Sequence, residues 1–193
     1  MAKKQAKITK YYLIAGEASG DLHASNLIAE LRKKDPNATF RGFGGDLMQK
    51  QGMELVKHYR TMDYMGFVEV AVNLRKVLAN IDLCKKDILE YQPDALILVD
   101  YPGFNLRIAE FAREQGLKVI YYISPQVWAW KRRRVHKIKE SVDKMLVILP
   151  FEEEFYRRYG VDVTYVGNPL LDELAKSGSP NRSIFLRRYS LGE

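Results

Sequence analysis

The stretch YYLIAGEASGDLHASNLIAEL, residues 11–31, begins as an apolar run, passes through a small-residue turn with two carboxylates, and continues with helical spacing. A buried strand followed by a turn and a helix is the repeating unit of an α/β fold. The turn, GEASG, has two glycines where the dinucleotide fingerprint needs three, and it lacks the glycine-lysine-serine/threonine end of a phosphate loop. Because Glu17 and Asp21 would compete with a phosphate at the helix N-terminus, the turn favours ligand hydroxyl groups. The alternative is that Ser19 caps the helix and the acids complement its dipole.

Strand and helix patterns alternate along the rest of the chain. Apolar runs predict buried strands at residues 11–15, 39–43, 95–99, 119–123 and 145–149, with a weaker one at 163–166. Helical spacing predicts helices over residues 19–33, 67–90, 106–115, 134–140 and 152–159. Alternation of this kind implies right-handed crossovers between parallel strands. We therefore predict a Rossmann-like, doubly wound parallel sheet with helices on both faces.

The composition limits the class of protein and its partners. A chain of 193 residues with 47% hydrophobic content suits one well-buried domain. The net charge of +7 favours anionic partners such as phosphates, acidic lipid or nucleic acid, without choosing among them. Cys84 is the single cysteine and cannot form an internal disulfide, which favours a reduced, cytoplasmic setting. The first apolar stretch is brief and runs into Glu17, so we expect no signal peptide, and no run is long enough to span a bilayer.

Another carboxylate follows the third predicted strand. Asp100 comes directly after that strand, in VDYPGFN, and ligands of open α/β sheets bind beyond the carboxyl ends of the strands. Pro102 and Gly103 make a stiff turn that would hold the Asp100 side chain in one place. A fixed carboxylate suits general-base catalysis, and burial or a neighbour such as Glu17 would raise its pKa above about 3.9. The alternative is that Asp100 only caps the following helix.

A basic and aromatic segment follows the next strand. In SPQVWAWKRRRVHKI, residues 124–138, two tryptophans are suited to stacking on sugar faces and the basic residues beside them to binding a phosphate. These residues are Trp128, Trp130, Lys131, Arg132, Arg133, Arg134 and Lys137. Nucleic-acid binding uses the same residue types. An ordinary amphipathic helix with its basic side in water would give the same pattern. His136 has no second ligand at metal-binding spacing, so we predict no metal site.

The helix predicted over residues 67–90 has more apolar positions than one buried face needs. The stripe expected to face the core comprises Phe67, Val70, Ala71, Leu74, Val77, Leu78 and Ile81, and a second stripe comprises Val68, Val72, Ala79 and Leu83. The flanking basic residues are Arg75, Lys76, Lys85 and Lys86. Such a helix is suited to an anionic membrane surface. Burial on two sides, or a dimer contact, would give the same stripes.

Six segments, in this order, resemble the lipid-A-disaccharide synthase family. They are AGEASGD (15–21), MGFVEV (65–70), VDYPGFN (99–105), SPQVWAWKRRRVHKI (124–138), LPFEEEFY (149–156) and VGNPLLD (166–172). Each segment alone is weak, whereas six in order over nearly the whole chain are specific. The resemblance implies a membrane-associated, inverting glycosyltransferase of the GT-B type, with two Rossmann-like domains facing a cleft. This chain resembles the N-terminal, acceptor-side domain.

The resemblance also implies a reaction and roles for individual residues. The reaction transfers 2,3-diacylglucosamine from its UDP derivative to 2,3-diacylglucosamine 1-phosphate, releases UDP and forms a β-1,6 disaccharide. Asp100 matches the catalytic base, and Glu17 matches a second acidic residue required at the centre. The implied substrate contacts are Ser19, Asp21, Met65, Asn105, Trp128, Arg132 and Arg134, the two arginines facing the acceptor phosphate. The implied membrane patch comprises Phe67, Val68, Val72 and Leu74.

Domain organisation and setting follow from the same resemblance. Residues 1–174 would form the acceptor-side domain, and residues 175–193 would be a linker and the start of a C-terminal UDP-sugar-binding domain, so residues 1–193 alone would be inactive. We expect a cytoplasmic enzyme on the inner-membrane surface, with no cofactor and no nucleic-acid partner; a homodimer stays open. Two other classes remain open, namely another two-domain sugar-nucleotide enzyme and a non-catalytic module that binds membrane or nucleic acid. The module gives no reason for Asp100 and Glu17 to stand at strand ends.

Overall fold

Strands and helices alternate along the chain, as the apolar runs predict. The computed structural model describes residues 8–62, 70–127 and 134–177, with the backbone alone described for residues 70–74. The strands are β1 (Lys10–Ala15), β2 (Thr39–Gly44), β3 (Glu54–His58), β4 (Ala95–Val99), β5 (Lys118–Tyr122), β6 (Lys144–Val147) and β7 (Val163–Tyr165). The helices are α1 (Ala18–Lys34), α2 (Asp46–Lys50), α3 (Val70–Tyr91), α4 (Pro102–Glu114), α5 (Arg134–Ser141), α6 (Pro150–Arg157) and α7 (Pro169–Ser177). All six predicted strands are confirmed, and each of the five predicted helices is present within the described residues.

The strands form one parallel sheet in the order β3-β2-β1-β4-β5-β6-β7. The chain builds outward from β1 to β3, crosses back through α3, and then builds outward in the opposite direction from β4. The strands β1 and β4 are therefore neighbours, with Ala15 opposite Val99. The reversal of strand order at this pair opens a crevice beyond their carboxyl ends, where open α/β sheets bind ligands. The prediction of a Rossmann-like, doubly wound sheet is confirmed.

The central strands β1 and β4 are buried on both faces of the sheet, which explains why their sequences are apolar without alternation. In β1, Tyr12 and Ile14 join one core cluster, whereas Leu13 and Ala15 join a second cluster on the opposite face. The first cluster contains residues of α3 to α6, namely Ile81, Ile88, Phe104, Ile108, Ile138 and Tyr156, and the second contains Ala24, Ile28 and Met48 of α1 and α2. Each fully buried large apolar side chain contributes about 1.5–3 kcal/mol. This two-sided burial fixes the positions of the strand ends.

Two elements at one edge of the sheet were not predicted. The strand β3, ELVKH, includes charged residues and has no fully buried position, so it lacks an apolar run. The helix α2 has five residues, too few to show helical periodicity. Neither element has the apolar pattern on which the strand and helix predictions depend, so both were missed.

The segment predicted as a linker begins inside a helix. Residues 175–177 are the last turn of α7, which begins at Pro169. The Asn168 side chain accepts the Leu170 N–H at 3.0 Å, so a polar cap and a proline at the first helical position start this helix. Residues 178–193 lie outside the described residues, and the domain boundary stays a prediction.

One of the two apolar stripes of α3 enters the core. The core-facing positions are Val77, Ile81, Cys84 and Ile88. Leu78 was expected in the same stripe but is 46% exposed, because it lies about 100° around the helix from Val77. Leu83, from the second stripe, is 41% exposed. Across the described residues, no helix has the length and apolar character needed to cross a membrane.

Candidate active site at the carboxyl edge of the sheet

Two carboxylates lie together where β1 and β4 end. Since Ala15 pairs with Val99 in parallel register, Glu17 and Asp100 follow their strands at the same edge of the sheet. They are close enough for the charge of Glu17 to act on the Asp100 carboxyl. The prediction that these two residues share one sheet edge is confirmed.

The Asp100 carboxyl has the properties of a general base. Burial, and secondly the negative charge of Glu17, raise the pKa of Asp100 to about 6, although the Tyr101 backbone N–H opposes the shift. At pH 7 the group is still mainly ionised, yet it holds a proton more tightly than an ordinary aspartate. A base with a pKa just below the working pH is both available and strong enough to accept a proton.

The turn after β4 has an uncommon backbone conformation. Asp100 and Tyr101 have φ values of 42° and 47°, in the left-handed region that favours glycine. Each such residue costs about 1–3 kcal/mol, and residues of this kind concentrate at functional sites. Tyr101 is the N-cap residue of α4, and no side chain makes the cap hydrogen bond. The alternative that Asp100 is the cap of this helix is therefore wrong.

Two buried side chains hold the backbone of this turn. The Tyr121 hydroxyl donates to the carbonyl oxygen of Asp100 at 2.5 Å, and Asn105 Nδ2 donates to the same oxygen at 2.7 Å. The Asn105 amide also donates to the carbonyl of Val99 at 3.2 Å. Asn105 was expected to contact substrate, but its side chain is fully buried and its amide hydrogens are occupied by the turn. Its contacts are therefore with the backbone that carries Asp100.

The GEASG turn lies directly against the Asp100 turn. A Cβ added at Gly16 would come within 2.3 Å of the Tyr101 ring, so glycine is needed for the two turns to approach. Glu17 is the N-cap residue of α1, in an extended conformation, and the exposed Ser19 hydroxyl donates to the Glu17 carboxylate. Ser19 therefore does not cap the helix, contrary to the alternative from the sequence. Its hydroxyl and the Glu17 carboxylate form an exposed polar pair beside Asp100.

Asp21 has a structural position that the sequence did not indicate. Its carboxylate is 2% exposed and accepts three backbone N–H groups, from Gly45, Leu47 and Met48, at 2.9–3.1 Å. These groups belong to the start of α2, so Asp21 caps that helix from a distance. The expectation that Asp21 contacts substrate is therefore corrected, because both carboxylate oxygens are used inside the fold.

The basic segment contributes one described residue to this region. Arg134 begins α5 and is half-buried. Burial and the Asp100 carboxylate raise the pKa of the Tyr121 hydroxyl, and the charge of Arg134 opposes that shift, so Arg134 acts electrostatically on the same region. The predicted residues Met65, Phe67, Val68, Trp128 and Arg132 lie outside the described residues, as do the side chains of Val72 and Leu74.

Two tyrosines at this edge were not predicted as site residues. Tyr121 lies within an apolar strand and has the burial pattern of a core residue, so only its position near the strand end could have drawn attention to its hydroxyl. Tyr101 adjoins Asp100 in the sequence, but nothing in the sequence indicates that its ring packs on Gly16. The contact of Tyr121 with Asp100 and that of Tyr101 with Gly16 both depend on which strands are neighbours in the sheet. The apolar pattern that predicts a strand does not specify its neighbours.

Solved structures show the class of fold to which this chain belongs. A UDP-GlcNAc 2-epimerase from Neisseria meningitidis has a TM-score of 0.62 at 11% identity, over 86% of this chain and 48% of that one. A glycosyltransferase from Rickettsia africae has a TM-score of 0.55 at 14% identity, over 97% and 51%. The chain therefore has the Rossmann-like fold that forms one half of GT-B glycosyltransferases.

The family follows from sequence comparison. The family model described as lipid-A-disaccharide synthetase matches residues 11–184, so the chain belongs to this family. The lipid-A-disaccharide synthase of Syntrophus aciditrophicus is 45% identical over 181 residues, which are 94% of this chain and 47% of that protein. The chain spans about half the length of the curated relatives it matches.

Proposed function

We propose that this chain supplies the acceptor side and the general base of lipid A disaccharide synthesis. The reaction transfers 2,3-diacylglucosamine from its UDP derivative to 2,3-diacylglucosamine 1-phosphate, forming a β-1,6 disaccharide and UDP. One observation carries the proposal, namely the half-buried Asp100, whose pKa is raised to about 6 beside Glu17 in the crevice between β1 and β4. Membership of the lipid-A-disaccharide synthetase family supplies the substrate class.

Asp100 acts on the attacking hydroxyl of the acceptor. Its carboxylate takes the proton from the 6-hydroxyl as that oxygen bonds to the anomeric carbon of the donor sugar. The bond from this carbon to the UDP oxygen breaks at the opposite face, and UDP leaves with the electron pair. Holding the base against the hydroxyl lowers the barrier through both orientation and proton transfer. Burial, and secondly the negative charge of Glu17, raise the pKa of Asp100 and so keep it basic enough for this step.

The exposed polar groups around Asp100 would bind the acceptor sugar. The Glu17 carboxylate and the Ser19 hydroxyl, which are hydrogen-bonded to each other, suit sugar hydroxyls. The half-buried Arg134 suits the acceptor phosphate, since its guanidinium can donate two parallel hydrogen bonds to phosphate oxygens. Trp128, Arg132 and Met65, outside the described residues, are proposed to extend this contact. In this arrangement the sugar would lie over the turn between β1 and α1, where dinucleotide-binding enzymes bind a phosphate group.

The acyl chains of the substrates require an encounter with the inner membrane. The proposed contact surface is the patch Phe67, Val68, Val72 and Leu74, none of whose side chains is described. Support comes from the described part of α3, where Leu78 and Leu83 are exposed beside basic residues. Exposed apolar residues with flanking cations are typical of helices that lie on anionic membranes. A peripheral enzyme on the cytoplasmic side is the setting we propose.

The test uses a chimera in which this chain replaces the matching half of the Syntrophus aciditrophicus enzyme. Asp100→Asn keeps the side-chain size but removes the base, so we expect turnover to fall by about 10²- to 10⁴-fold, with a smaller change in acceptor affinity. In the unmodified chimera, activity should fall as the pH drops below about 6, because Asp100 is then protonated. The rate of disaccharide formation is measured from the amount of UDP released.

The matched control is Asp162→Asn. Asp162 is an exposed carboxylate just before β7, so it lies at the amino ends of the strands, whereas Asp100 lies at the carboxyl ends. Turnover should therefore be unchanged. Near-normal turnover in the Asp100→Asn chimera would contradict the proposal.

A further inference from the structure

The carbonyl oxygen of Asp100 is held more tightly than a turn normally requires. It accepts one hydrogen bond from the Tyr121 hydroxyl at 2.5 Å and another from Asn105 Nδ2 at 2.7 Å. Both donor side chains are fully buried, and they come from two elements, β5 and α4. One backbone oxygen is thus fixed from two sides by groups that cannot move into solvent.

The conformation of the turn explains why such fixing is needed. Asp100 and Tyr101 both lie in the left-handed region, which a non-glycine residue leaves readily unless the surroundings enforce it. Relaxation of Asp100 towards an extended or right-handed conformation would rotate its carbonyl away from Tyr121. The same rotation would swing the carboxylate out of the crevice, because side chain and carbonyl are attached to the same Cα.

The geometry points to Tyr121, assisted by Asn105, as a positioning residue for Asp100. Its hydroxyl touches neither substrate nor the reacting atoms but holds the backbone that aims the carboxylate at the acceptor hydroxyl. The catalytic consequence rests on the proposed function, whereas the positioning itself does not. The structure offers a matched control in Tyr156, a second fully buried tyrosine, whose hydroxyl is hydrogen-bonded to Ser124 at 2.6 Å instead of to Asp100.

The first measurement uses this chain without substrate. In wild-type protein, the NMR signal of the Asp100 carboxyl carbon should titrate near pH 6. In Tyr121→Phe, the turn relaxes and water reaches the carboxylate, which favours its charged form, so the midpoint should fall towards the ordinary aspartate value near 3.9. Charged groups that act on this region, Glu17 and Arg134, are unchanged in both variants. Tyr156→Phe should leave the midpoint as in wild type.

The second measurement uses the disaccharide-forming chimera. Tyr121→Phe should lower kcat by about 10- to 100-fold, the usual effect of misplacing a reacting group by an ångström or so. The acceptor KM should change by less than about twofold, because no contact to the substrate is lost. The acid limb of the pH profile should move to lower pH with the NMR midpoint. Tyr156→Phe should retain wild-type turnover and pH profile.

The possible results distinguish a failure of the positioning role of Tyr121 from a failure of the proposed function. An unchanged NMR midpoint in Tyr121→Phe overturns the positioning role, and so does an equal change in Tyr156→Phe, which would indicate a general loss of packing. If the NMR midpoint shifts only in Tyr121→Phe but Asp100→Asn retains full turnover, positioning stands and the proposed function fails. If Asp100→Asn is inactive while Tyr121→Phe has normal kcat, the proposed function stands, and the claim that turnover depends on the positioning of Asp100 by Tyr121 is overturned.

Discussion

At the level of one residue, Asp100 has features that lower stability and that the proposed role as a base requires. Its carboxylate is half-buried, is repelled by Glu17 and stands on a left-handed backbone. Each feature opposes folding, and each also favours a base that is strong and fixed in place. A residue that served only to cap a helix would give none of these penalties. The balance can be measured on the chain itself, without a substrate.

Asp100→Asn should stabilise the chain at neutral pH. The folded-state pKa of about 6 lies above the ordinary 3.8, so the folded chain binds an extra proton between these values, and stability falls as the pH rises through this window. Asparagine carries no charge and avoids this loss. Allowing for solvent at the half-buried group, we expect a gain of about 1–2 kcal/mol at pH 7–8 that disappears below about pH 4.

Urea denaturation at several pH values would measure this difference. Asp162→Asn, at an exposed carboxylate, serves as the control and should leave the free energy of unfolding unchanged. Equal stability of wild type and Asp100→Asn across the pH range would mean that burial and Glu17 do not disfavour the Asp100 charge.

At the level of elements, the sequence predicts the strands well because the sheet is buried on both faces. The central strand β4 has no polar residue, and β1 has a charged residue only at its first position, Lys10, so their type and place are clear. The edge strand β3 and the short helix α2 are not predicted, since neither has a long apolar pattern. Helix α7 was also not predicted, because the small residues at its C-terminal end, including Ala175 and Ser177, were interpreted as part of a linker.

The candidate site shows a corresponding limit. Asp100 and Glu17 could be placed at one edge because strand ends define that edge. The roles of Asp21, Asn105 and Tyr121 could not be predicted, because each depends on a partner distant in sequence. Asp21 contacts the start of α2, and Tyr121 contacts the turn after β4. Strand order and side-chain direction decide such contacts, and neither is contained in a local pattern.

The exposed leucines of α3 lead to a prediction at the same scale. Replacing Leu78 and Leu83 with serine should reduce sedimentation of the chain with anionic phospholipid vesicles, because both side chains would leave the apolar layer of the membrane. Each removes roughly 1–2 kcal/mol of apolar transfer free energy, so binding should fall by more than tenfold. The fold should be unaffected, as neither residue is in the core.

The control for this experiment is on a different helix. Leu170 and Leu174 of α7 are 51% and 67% exposed, more than the α3 pair. Serine at these two positions should leave vesicle binding unchanged if α3 is the contact surface. Equal losses in both double variants would mean that exposed leucines bind lipid wherever they occur, and the role of α3 would be rejected.

For the whole molecule, charge and site geometry lead to different expectations about anions. The net charge of +7 attracts any anion, and more strongly the more negative it is. The site, however, places the Glu17 carboxylate at the N-terminus of α1, where a nucleotide phosphate would otherwise bind. The chain also spans about half of its curated relatives. Under the proposed function, this chain binds the acceptor and not the nucleotide.

We therefore expect the chain to bind glucosamine 1-phosphate, a soluble acceptor without acyl chains, in preference to UDP. In NMR titrations, the sugar phosphate should shift the amides of Glu17, Ser19 and Arg134 saturably, whereas UDP, which carries more negative charge, should not. Arg134→Gln should weaken sugar-phosphate binding by about 5- to 10-fold, the effect of losing a charged hydrogen-bond donor, whereas Lys137→Gln on the same helix should not. Lys137 already pairs with Glu110 at 2.6 Å. If UDP binds more tightly and shifts the same amides, net charge or a donor site governs binding, and the acceptor assignment is wrong.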